Sequence, residues 1–324
     1  MDEFVMTNSQ EVLAIAGPTA SGKTALAVGL AHCLDGEVIN GDAMQVYRGL
    51  DIGTAKITDD EKKGIPHHLF DIKSPEESFS AAEYQKLVRE KISEIQSRGK
   101  VPIIAGGTGL YMQSVLFDYR FTEAAADLGV RKRLEQELEL SGAIQLYDRL
   151  QLLDPESAKK IHPNNHRRLV RALEIIEVSG ATKAVHEADQ GSTPMYNAFI
   201  IGLELPREKL YARIDQRVDQ MIKKGLYEEV QGLWGQGIRN VQSIQAIGYK
   251  ELYQVLEGTI SEEEAIELIK KNTRHYAKRQ MTYFRNKLEV NWFDATIEMS
   301  TLAEKICKEV KEIHLRAANT KSRH

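Results

Sequence analysis

The sequence has little cysteine and no long hydrophobic segment, and both absences limit what the protein can be. Its 324 residues include only two cysteines, Cys33 and Cys307, which lie far apart in the chain. Such a pair provides neither a disulfide framework nor the ligand spacing of a zinc site, so we expect reduced thiols. No apolar run approaches the roughly 18 residues that a membrane helix needs, and the polar start lacks a signal-peptide pattern. We therefore expect a cytoplasmic protein that does not associate with membranes.

A strong net charge is also missing, but the average conceals two basic segments. The formal net charge is −4 at pH 7, which by itself disfavours a nucleic-acid partner. Residues 159–171, KKIHPNNHRRLVR, and residues 270–287, KKNTRHYAKRQMTYFRNK, are rich in lysine and arginine and contain no acidic residue. Each segment could be an ordinary solvated surface, or both could contact the phosphates of a nucleic acid.

The order of the hydrophobic segments predicts an α/β fold with a helical insertion. Over residues 1–117 apolar strands alternate with helices, the pattern of a parallel sheet flanked by helices. Residues 118–194 carry helix signals only, and a strand resumes at residues 197–205, NAFIIGLEL. We predict an α/β core of the phosphate-loop type from residues 1–117 and 195–324, and a helical insertion domain at residues 118–194. Helices are also predicted at residues 207–236 and around 243–257.

A glycine-rich loop, GPTASGKT at Gly17–Thr24, separates the first strand from the first helix. It matches G-x-x-x-x-G-K-[ST], in which backbone N–H groups and the lysine surround phosphate oxygens and the hydroxyl binds Mg²⁺. The loop therefore predicts a site for a di- or triphosphate. The predicted phosphate-binding residues are Gly17, Thr19, Ala20, Ser21, Gly22, Lys23 and Thr24, with Thr24 as the Mg²⁺ ligand.

One feature of nucleotide hydrolases is absent, because no later strand of four apolar residues ends in aspartate. The strand VPIIAGG, residues 101–107, ends in glycine, and only EVINGD, residues 37–42, places an acid at a strand end. Ligands of open parallel sheets bind at this carboxyl edge. Asp42 could therefore bind Mg²⁺ through water, accept a proton from a nucleophile, or cap a turn. These three alternatives remain open at this point.

Seven short segments extend in order from Gly17 to Arg285: GPTASGKT, GDAMQVYRGLDIGTAK, GIPHHL, GGTGLY, HPNNHRRLVRALEI, QAIGYKEL and TRHYAKRQMTYFR. Together they resemble the tRNA dimethylallyltransferase family, bacterial type, whose members are also called tRNA isopentenyltransferases. Two positions depart from the family pattern. Ala43 stands where the family usually has serine, and Tyr283 stands where it usually has tryptophan.

The resemblance implies a prenyltransferase that moves a dimethylallyl group from dimethylallyl diphosphate to N6 of the adenosine 3′-adjacent to a tRNA anticodon, releasing diphosphate. It implies Mg²⁺ as cofactor, Asp42 as the base, and Lys23, Thr24 and Arg217 as the groups on the diphosphate. The partner it implies is the tRNA anticodon stem-loop, and we infer no obligatory protein partner. The tRNA-binding residues that it implies are Asp42, Ala43, Met44, Gln45, Thr108, Arg131, Arg167, Arg168, Leu169, Val170, Arg171, Lys278 and Arg279.

Plainer alternatives exist for several of these residues. Thr108 could cap a helix. Arg217 could pair with Asp215 or Asp219 on a solvated surface. The tyrosines of the second basic segment, Tyr276 among them, could be core residues. Two alternative functions also remain, a small-molecule or nucleoside kinase that uses ATP, and an RNA-binding switch that holds a nucleotide without turnover.

Overall fold

The protein is described by a computed structural model that covers residues 11–121, 128–180, 182 and 193–321. These residues divide into two units. The first unit contains the described residues up to Phe117 and those from Pro194 onward, and the second contains those from Asp118 to Thr193. The insertion predicted at residues 118–194 ends one residue later than this second unit. Its role in binding tRNA stays a prediction.

Strands and helices alternate in the first part of the chain, and a helical segment interrupts them. Up to residue 116 the order is β1 (Glu11–Ala16), α1 (Lys23–Leu34), β2 (Gly36–Asn40), α2 (Asp59–Lys62), β3 (His67–His68), α3 (Ala81–Ser97), β4 (Val101–Gly106) and α4 (Gly109–Leu116). The second unit contains α5 (Leu128–Leu153), α6 (Pro155–Lys160) and α7 (His166–Ser179). The chain continues with β5 (Asn197–Glu204), α8 (Arg207–Lys223), α9 (Leu226–Gly235), α10 (Tyr249–Leu256), α11 (Glu262–Lys287), β6 (Asn291–Asp294) and α12 (Met299–Lys321).

Among the described residues, six strands form one parallel sheet in the order β3-β2-β4-β1-β5-β6. Every residue of β1 and β2 is buried, as expected for strands whose two faces are both covered. Separate hydrophobic clusters on the sheet include Tyr84 and Ile104 in one and Leu26 and Ile103 in the other. The predicted class, a parallel α/β sheet flanked by helices, is confirmed. The carboxyl ends of β2, β4 and β1 lie side by side, which places the loops that follow them together.

Two helix predictions need correction, and one helix was not predicted. The helix predicted at residues 207–236 is two helices, because Gly225 between α8 and α9 has φ of 97°. The segment predicted around residues 243–257 begins with a 3₁₀ turn at Ser243–Gln245, and α10 starts only at Tyr249. Helix α6 was not predicted, although Asp154 caps it by accepting a hydrogen bond from Ser157 N.

The second unit has its own hydrophobic core. Leu134, Leu146, Leu150, Leu169 and Leu173 are fully buried in one cluster that joins α5 to α7. Helix α5 is interrupted at Gly142, whose φ of 80° and ψ of 164° are not helical. A separate hydrophobic core of this kind is what a domain needs in order to pack by itself.

The two cysteines are not free, contrary to the sequence expectation. Cys33 on α1 and Cys307 on α12 form a disulfide with a Cα–Cα distance of 6.4 Å. The prediction was wrong because α1 and α12 pack side by side, which brings together residues separated by 274 positions. Within the described part of the chain, no helix has both the length and the hydropathy of a membrane span.

Candidate active site

The glycine-rich loop joins β1 to α1, and two of its backbone carbonyl groups accept hydrogen bonds from its own lysine. Lys23 Nζ donates hydrogen bonds to Gly17 O at 3.0 Å and to Pro18 O at 2.7 Å. Gly22 precedes α1 with φ of 97°, a conformation that favours glycine, and a Cβ there would lie 2.9 Å from Met299 Sδ. Ser21 is buried, and its Oγ has no hydrogen-bond partner among the described residues. This buried hydroxyl is available to hydrogen-bond a polar ligand.

A cavity of about 820 Å³ opens at the carboxyl ends of the strands, beside the glycine-rich loop. The glycine-rich loop from Thr19 onward forms one wall, and Asp42, which follows β2, forms another. Helices α8 and α11 contribute side chains from the C-terminal part of the first unit. The chemically active lining residues are Lys23, Thr24, Asp42, Arg213, Arg217, Tyr276 and Gln280. The structure thus brings together the residues predicted for the diphosphate and for the base.

The cavity contains cations that face each other. The pKa of Lys23 is lowered to about 7, chiefly by burial and also by the nearby charge of Arg217, while Asp42 acts in the opposite direction. Burial also lowers the pKa of Arg217, again with Asp42 acting in the opposite direction. Lys23 and Arg217 are thus two desolvated cations on one cavity, and a polyanion bound there would neutralise their charge.

The surface-pairing alternative for Arg217 is not what the structure contains. Asp215 Oδ1 pairs with Arg274 Nη1 at 2.5 Å, and Asp219 Oδ1 pairs with Lys270 Nζ at 2.8 Å. Both carboxylates therefore connect α8 to α11, while Arg217 lines the cavity. This arrangement leaves the Arg217 guanidinium to the ligand.

The carboxylate of Asp42 caps a turn, and the residue also lines the cavity. Its backbone N–H donates to Asn40 Oδ1 at 2.9 Å, and its carboxylate Oδ1 accepts from Met44 N at 2.8 Å. The capping alternative is thus confirmed for one oxygen. Among the described residues the other oxygen, Oδ2, has no hydrogen-bond partner. The same side chain can hold the turn and still accept a proton.

Thr108 stands at the N-cap position of α4, but its side chain does not cap the helix. Its Oγ1 instead accepts a hydrogen bond from Ala43 N at 3.3 Å. Burial raises the pKa of Tyr276 well above its usual range and the charge of Asp42 adds to this, whereas side-chain hydrogen bonds to Thr108 and Gln280 act against it. Thr108 therefore belongs to a polar network that reaches the cavity through Tyr276.

The residues after Asp42 have structural partners. Gln45 lines the cavity and donates its side-chain amide to Thr54 O at 3.0 Å. Ala43 and Met44 are partly buried against the hydrophobic core. Their predicted contacts with tRNA have no test among these observations.

The basic side chains of α11 divide into paired and exposed groups. Arg274 pairs with Asp215, and Arg285 pairs with Glu204 at 3.2 Å. Lys278 and Arg279 are exposed, and the Arg279 guanidinium lies over the Tyr276 ring at 5.7 Å from its centroid. Lys278 and Arg279, the two residues of this helix predicted to bind tRNA, therefore present their charges to solvent.

In the second unit the predicted tRNA-binding segment is only partly accessible. Leu169 and Val170 are buried in the core of the unit, so their predicted direct contact with tRNA needs correction. Arg167 and Arg168 are exposed. Glu174, whose side chain is 1% exposed, pairs with Arg131 at 2.7 Å and with Arg171 at 3.0 Å. These two arginines already have a structural partner.

Two residues that organise the cavity were not among the predicted site residues. Glu229 of α9 accepts hydrogen bonds from the backbone of residues 51–53, at 3.0, 2.8 and 3.2 Å, and so fixes a loop that lines the cavity. Gln280 contacts the glycine-rich loop directly. Gln280 lies inside the quoted segment TRHYAKRQMTYFR and could have been selected there, whereas no local pattern marks Glu229.

The fold and cavity define an α/β protein with a positively charged ligand site at its strand ends. The chain matches the IPP transferase family over residues 45–287, and it belongs to that family.

Named relatives agree with this assignment. The chain is 54% identical over 287 residues to the tRNA dimethylallyltransferase of Bacillus subtilis, a match that covers 89% of this chain and 91% of the relative. The crystal structure of the full-length tRNA isopentenylpyrophosphate transferase from Bacillus halodurans is 46% identical, with a TM-score of 0.73, and the match covers 97% of this chain and all of that one. A eukaryotic dimethylallyltransferase acting on tRNA is 33% identical, with a TM-score of 0.76, over 88% and 74% of the two chains.

Proposed function

We propose that this protein transfers a dimethylallyl group from dimethylallyl diphosphate to N6 of the adenosine 3′-adjacent to the anticodon of tRNA and releases diphosphate. The observation that carries this proposal is the meeting of Lys23, Arg217 and Asp42 around one cavity. Similarity to a tRNA dimethylallyltransferase at 54% identity supports the choice of substrates. A tRNA substrate also leads us to propose a cytoplasmic location.

The diphosphate would lie between the glycine-rich loop and α8. Negative charge grows on the leaving oxygens as the bond from the allylic carbon to oxygen breaks, and preplaced donors lower that barrier. Lys23 and Arg217 supply positive charge from two sides. The Ser21 hydroxyl, backbone N–H groups of the loop and the positive end of α1 supply further stabilisation. Neutralising the pair of cations would also remove their mutual repulsion.

Mg²⁺ fits this donor set. Among the described residues no cluster of three or more His, Cys, Asp or Glu side chains could hold a metal ion on its own. Mg²⁺ commonly keeps several waters and binds through substrate phosphates with one or two protein oxygens. The Thr24 hydroxyl, which lines the cavity, would be a protein ligand. The ion would neutralise charge on the departing diphosphate.

Asp42 is the residue that would accept the proton from the attacking amine. The lone pair on adenine N6 is delocalised into the ring, so a carboxylate in hydrogen-bond reach helps by orienting the amine and taking its proton. As the N6–carbon bond forms, the carbon–oxygen bond to diphosphate breaks and the proton moves to Asp42. The Oδ2 atom is suited to this step because Oδ1 already accepts from Met44 N.

The tRNA would present the adenosine to this cavity with the base out of its stack, because a stacked base cannot reach Asp42. Exposed Lys278 and Arg279 on α11 would contact phosphates near the target nucleotide. Arg167 and Arg168 of the second unit would contact the anticodon stem-loop. We propose supporting roles for Thr108 and Gln45 beside the base, since Thr108 holds the backbone of Ala43, next to Asp42, and Gln45 lines the same cavity.

One assay tests the proposed reaction against its alternatives. The protein is incubated with Mg²⁺, undermodified tRNA, and either labelled dimethylallyl diphosphate or labelled ATP. Prenyl label entering the tRNA without ATP is the expected result. Phosphate transfer from ATP would support a kinase instead, and nucleotide binding without any transfer would support an RNA-binding switch.

A further inference from the structure

Gln280 is a buried amide that connects α11 to two loops of the candidate active site. It is 4% exposed. Its Oε1 accepts a hydrogen bond from Thr19 N at 2.9 Å, and its Nε2 donates to Gly107 O at 3.0 Å. One side chain therefore uses its acceptor on the glycine-rich loop and its donor on the turn after β4.

The turn after β4 is shaped to receive α11. A Cβ on Gly107 would lie 2.0 Å from Gln280 Nε2, and a Cβ on Gly109 would lie 2.3 Å from the Tyr283 ring. Tyr283 also donates its hydroxyl to Gln113 Oε1 of α4 at 2.5 Å. The helix thus contacts this turn so closely that a side chain at either glycine would displace it.

Helix α11 also carries the accessible charges proposed to bind tRNA. Lys278 and Arg279 are exposed, whereas Gln280, the next residue, points into the protein. The helix is a single element of 26 residues whose start is fixed by a capping box between Ser261 and Glu264. A shift of this helix would therefore move the partner of the Thr19 backbone.

We propose that Gln280 is a positioning residue that holds the glycine-rich loop in its diphosphate-binding conformation and links that loop to the helix that contacts tRNA. The link to tRNA rests on the proposed function, whereas the effect on the loop does not. The role requires a neutral group with one acceptor and one donor, because only such a group satisfies both Thr19 N–H and Gly107 O.

Gln280→Glu separates this role from simple packing. A carboxylate at this position repels Gly107 O, but a protonated carboxyl group can accept from Thr19 N–H and donate to Gly107 O as the amide does. Burial would raise the pKa of the introduced acid. Tyr276 faces position 280, and Lys23, Asp42 and Arg217 line the same cavity, so the variant must be compared with wild type at each pH.

The expected result is a kcat/KM for prenyl transfer about 10- to 100-fold below wild type at pH 8, with the ratio of variant to wild type rising as the pH falls to about 6. Gln280→Met keeps the shape without the polar groups. Its kcat/KM should also be below wild type, and the ratio of the two should not change with pH. Gln254→Glu, on an exposed surface of α10, is the matched charge control and should match wild type. A pH-independent ratio for Gln280→Glu would overturn the proposal.

Binding of inorganic diphosphate, measured calorimetrically, tests the loop without the reaction. Gln280→Met should weaken it about 10-fold, with a thermal midpoint near that of wild type, and unchanged affinity would count against the positioning role. Unmodified tRNA should tighten diphosphate binding by about 5-fold or more in wild type and less in the variant. If tRNA tightened diphosphate binding equally in wild type and Gln280→Met, Gln280 would not link the glycine-rich loop to α11. If wild type binds diphosphate but does not prenylate tRNA, the proposed function fails while this diphosphate measurement still decides the role of Gln280.

Discussion

Basic residues occupy two different electrostatic environments in the two units of this protein. In the cavity of the first unit, burial and the charge of Arg217 lower the pKa of Lys23, and Asp42 opposes this shift. Burial lowers the pKa of Arg217 as well. In the second unit, Arg131 and Arg171 both bind the buried carboxylate of Glu174. The first two cations are desolvated and have no ion pair among the described residues, so they suit an incoming anion. In the second arrangement each arginine pairs directly with a carboxylate, and the Arg131 pair joins α5 to α7.

This difference teaches how to interpret an arginine inside a matching motif. Arg131 and Arg171 match the tRNA-binding pattern as well as Arg167 and Arg168 do, yet of these four only Arg167 and Arg168 are exposed. A charge that has a buried counterion must lose that partner before it can bind phosphate, and the lost pairing offsets much of the gain. Unpaired cations therefore mark the ligand sites better than basic composition does.

The largest effect is expected from Asp42→Asn. The asparagine oxygen can still accept from Met44 N, so the turn is kept, but the base is lost. We expect kcat to fall by about 10²- to 10⁴-fold. Inorganic diphosphate should bind as tightly as to wild type or more tightly, because the cavity loses one negative charge. Steady-state kinetics and calorimetry measure both, and a kcat within about threefold of wild type would rule out Asp42 as the base.

A smaller loss is expected from reversing the exposed arginines of the second unit. The double variant Arg167→Glu and Arg168→Glu should bind tRNA about 10- to 100-fold more weakly near physiological salt and lower the salt slope by about 2. Lys305→Glu with Lys308→Glu, on exposed positions of α12, makes the same change in charge as a control. Filter binding across a salt series gives both quantities. Unchanged affinity in the arginine variant would eliminate this unit from tRNA binding.

Arg217→Ala tests a desolvated cation of α8 that lines the cavity. Removing it should weaken diphosphate binding by about 10-fold or more, since a charge-assisted hydrogen bond contributes about 1.5–3 kcal/mol. Lys209→Ala, exposed on the same helix, should leave the affinity unchanged. Calorimetric titration with inorganic diphosphate measures the effect. If Arg217→Ala and Lys209→Ala bound diphosphate equally well, Arg217 would not be a diphosphate ligand.

The sequence was sufficient for the architecture of the cavity but not for its contacts. The strand, loop and helix order around Gly17–Thr24 is local, and the position of Asp42 follows from the rule for carboxyl ends of parallel strands. The bond from Thr19 to Gln280 joins residues 261 positions apart, and it depends on how α11 packs. The disulfide of Cys33 with Cys307 depends in the same way on the packing of α12 against α1.

The burial of Leu169 and Val170 was, in contrast, readable from the sequence. Leu169, Val170 and Leu173 follow the spacing of an apolar helix face, and the structure buries all three. The resemblance predicted tRNA contacts for the whole segment and did not take account of that spacing. A motif marks a segment, whereas the helical period decides which of its side chains face a partner.

The smallest effect is a difference in stability that contrasts the two environments directly. Burial lowers the pKa of Lys23 to about 7, so the unfolded chain, with the ordinary value of 10.5, binds this proton more strongly than the folded one. Lys23 therefore destabilises the folded state most below pH 7, and the penalty disappears as the pH rises to 10.5. Lys23→Met should raise the unfolding free energy at pH 7 by about 1 kcal/mol or more, since one pKa unit corresponds to about 1.4 kcal/mol.

Arg131→Met should act in the opposite direction, because it leaves Glu174 with one fewer partner in a buried setting. Arg131 is itself about one-third exposed, so the loss should be only about 0.5–1 kcal/mol. Thermal unfolding of both full-length variants between about pH 6 and pH 10 measures the contrast. The gain for Lys23→Met should shrink with rising pH while the loss for Arg131→Met stays constant. If both variants lose stability equally at every pH, the cations of the cavity are as well compensated as those of the second unit, and the distinction between them falls.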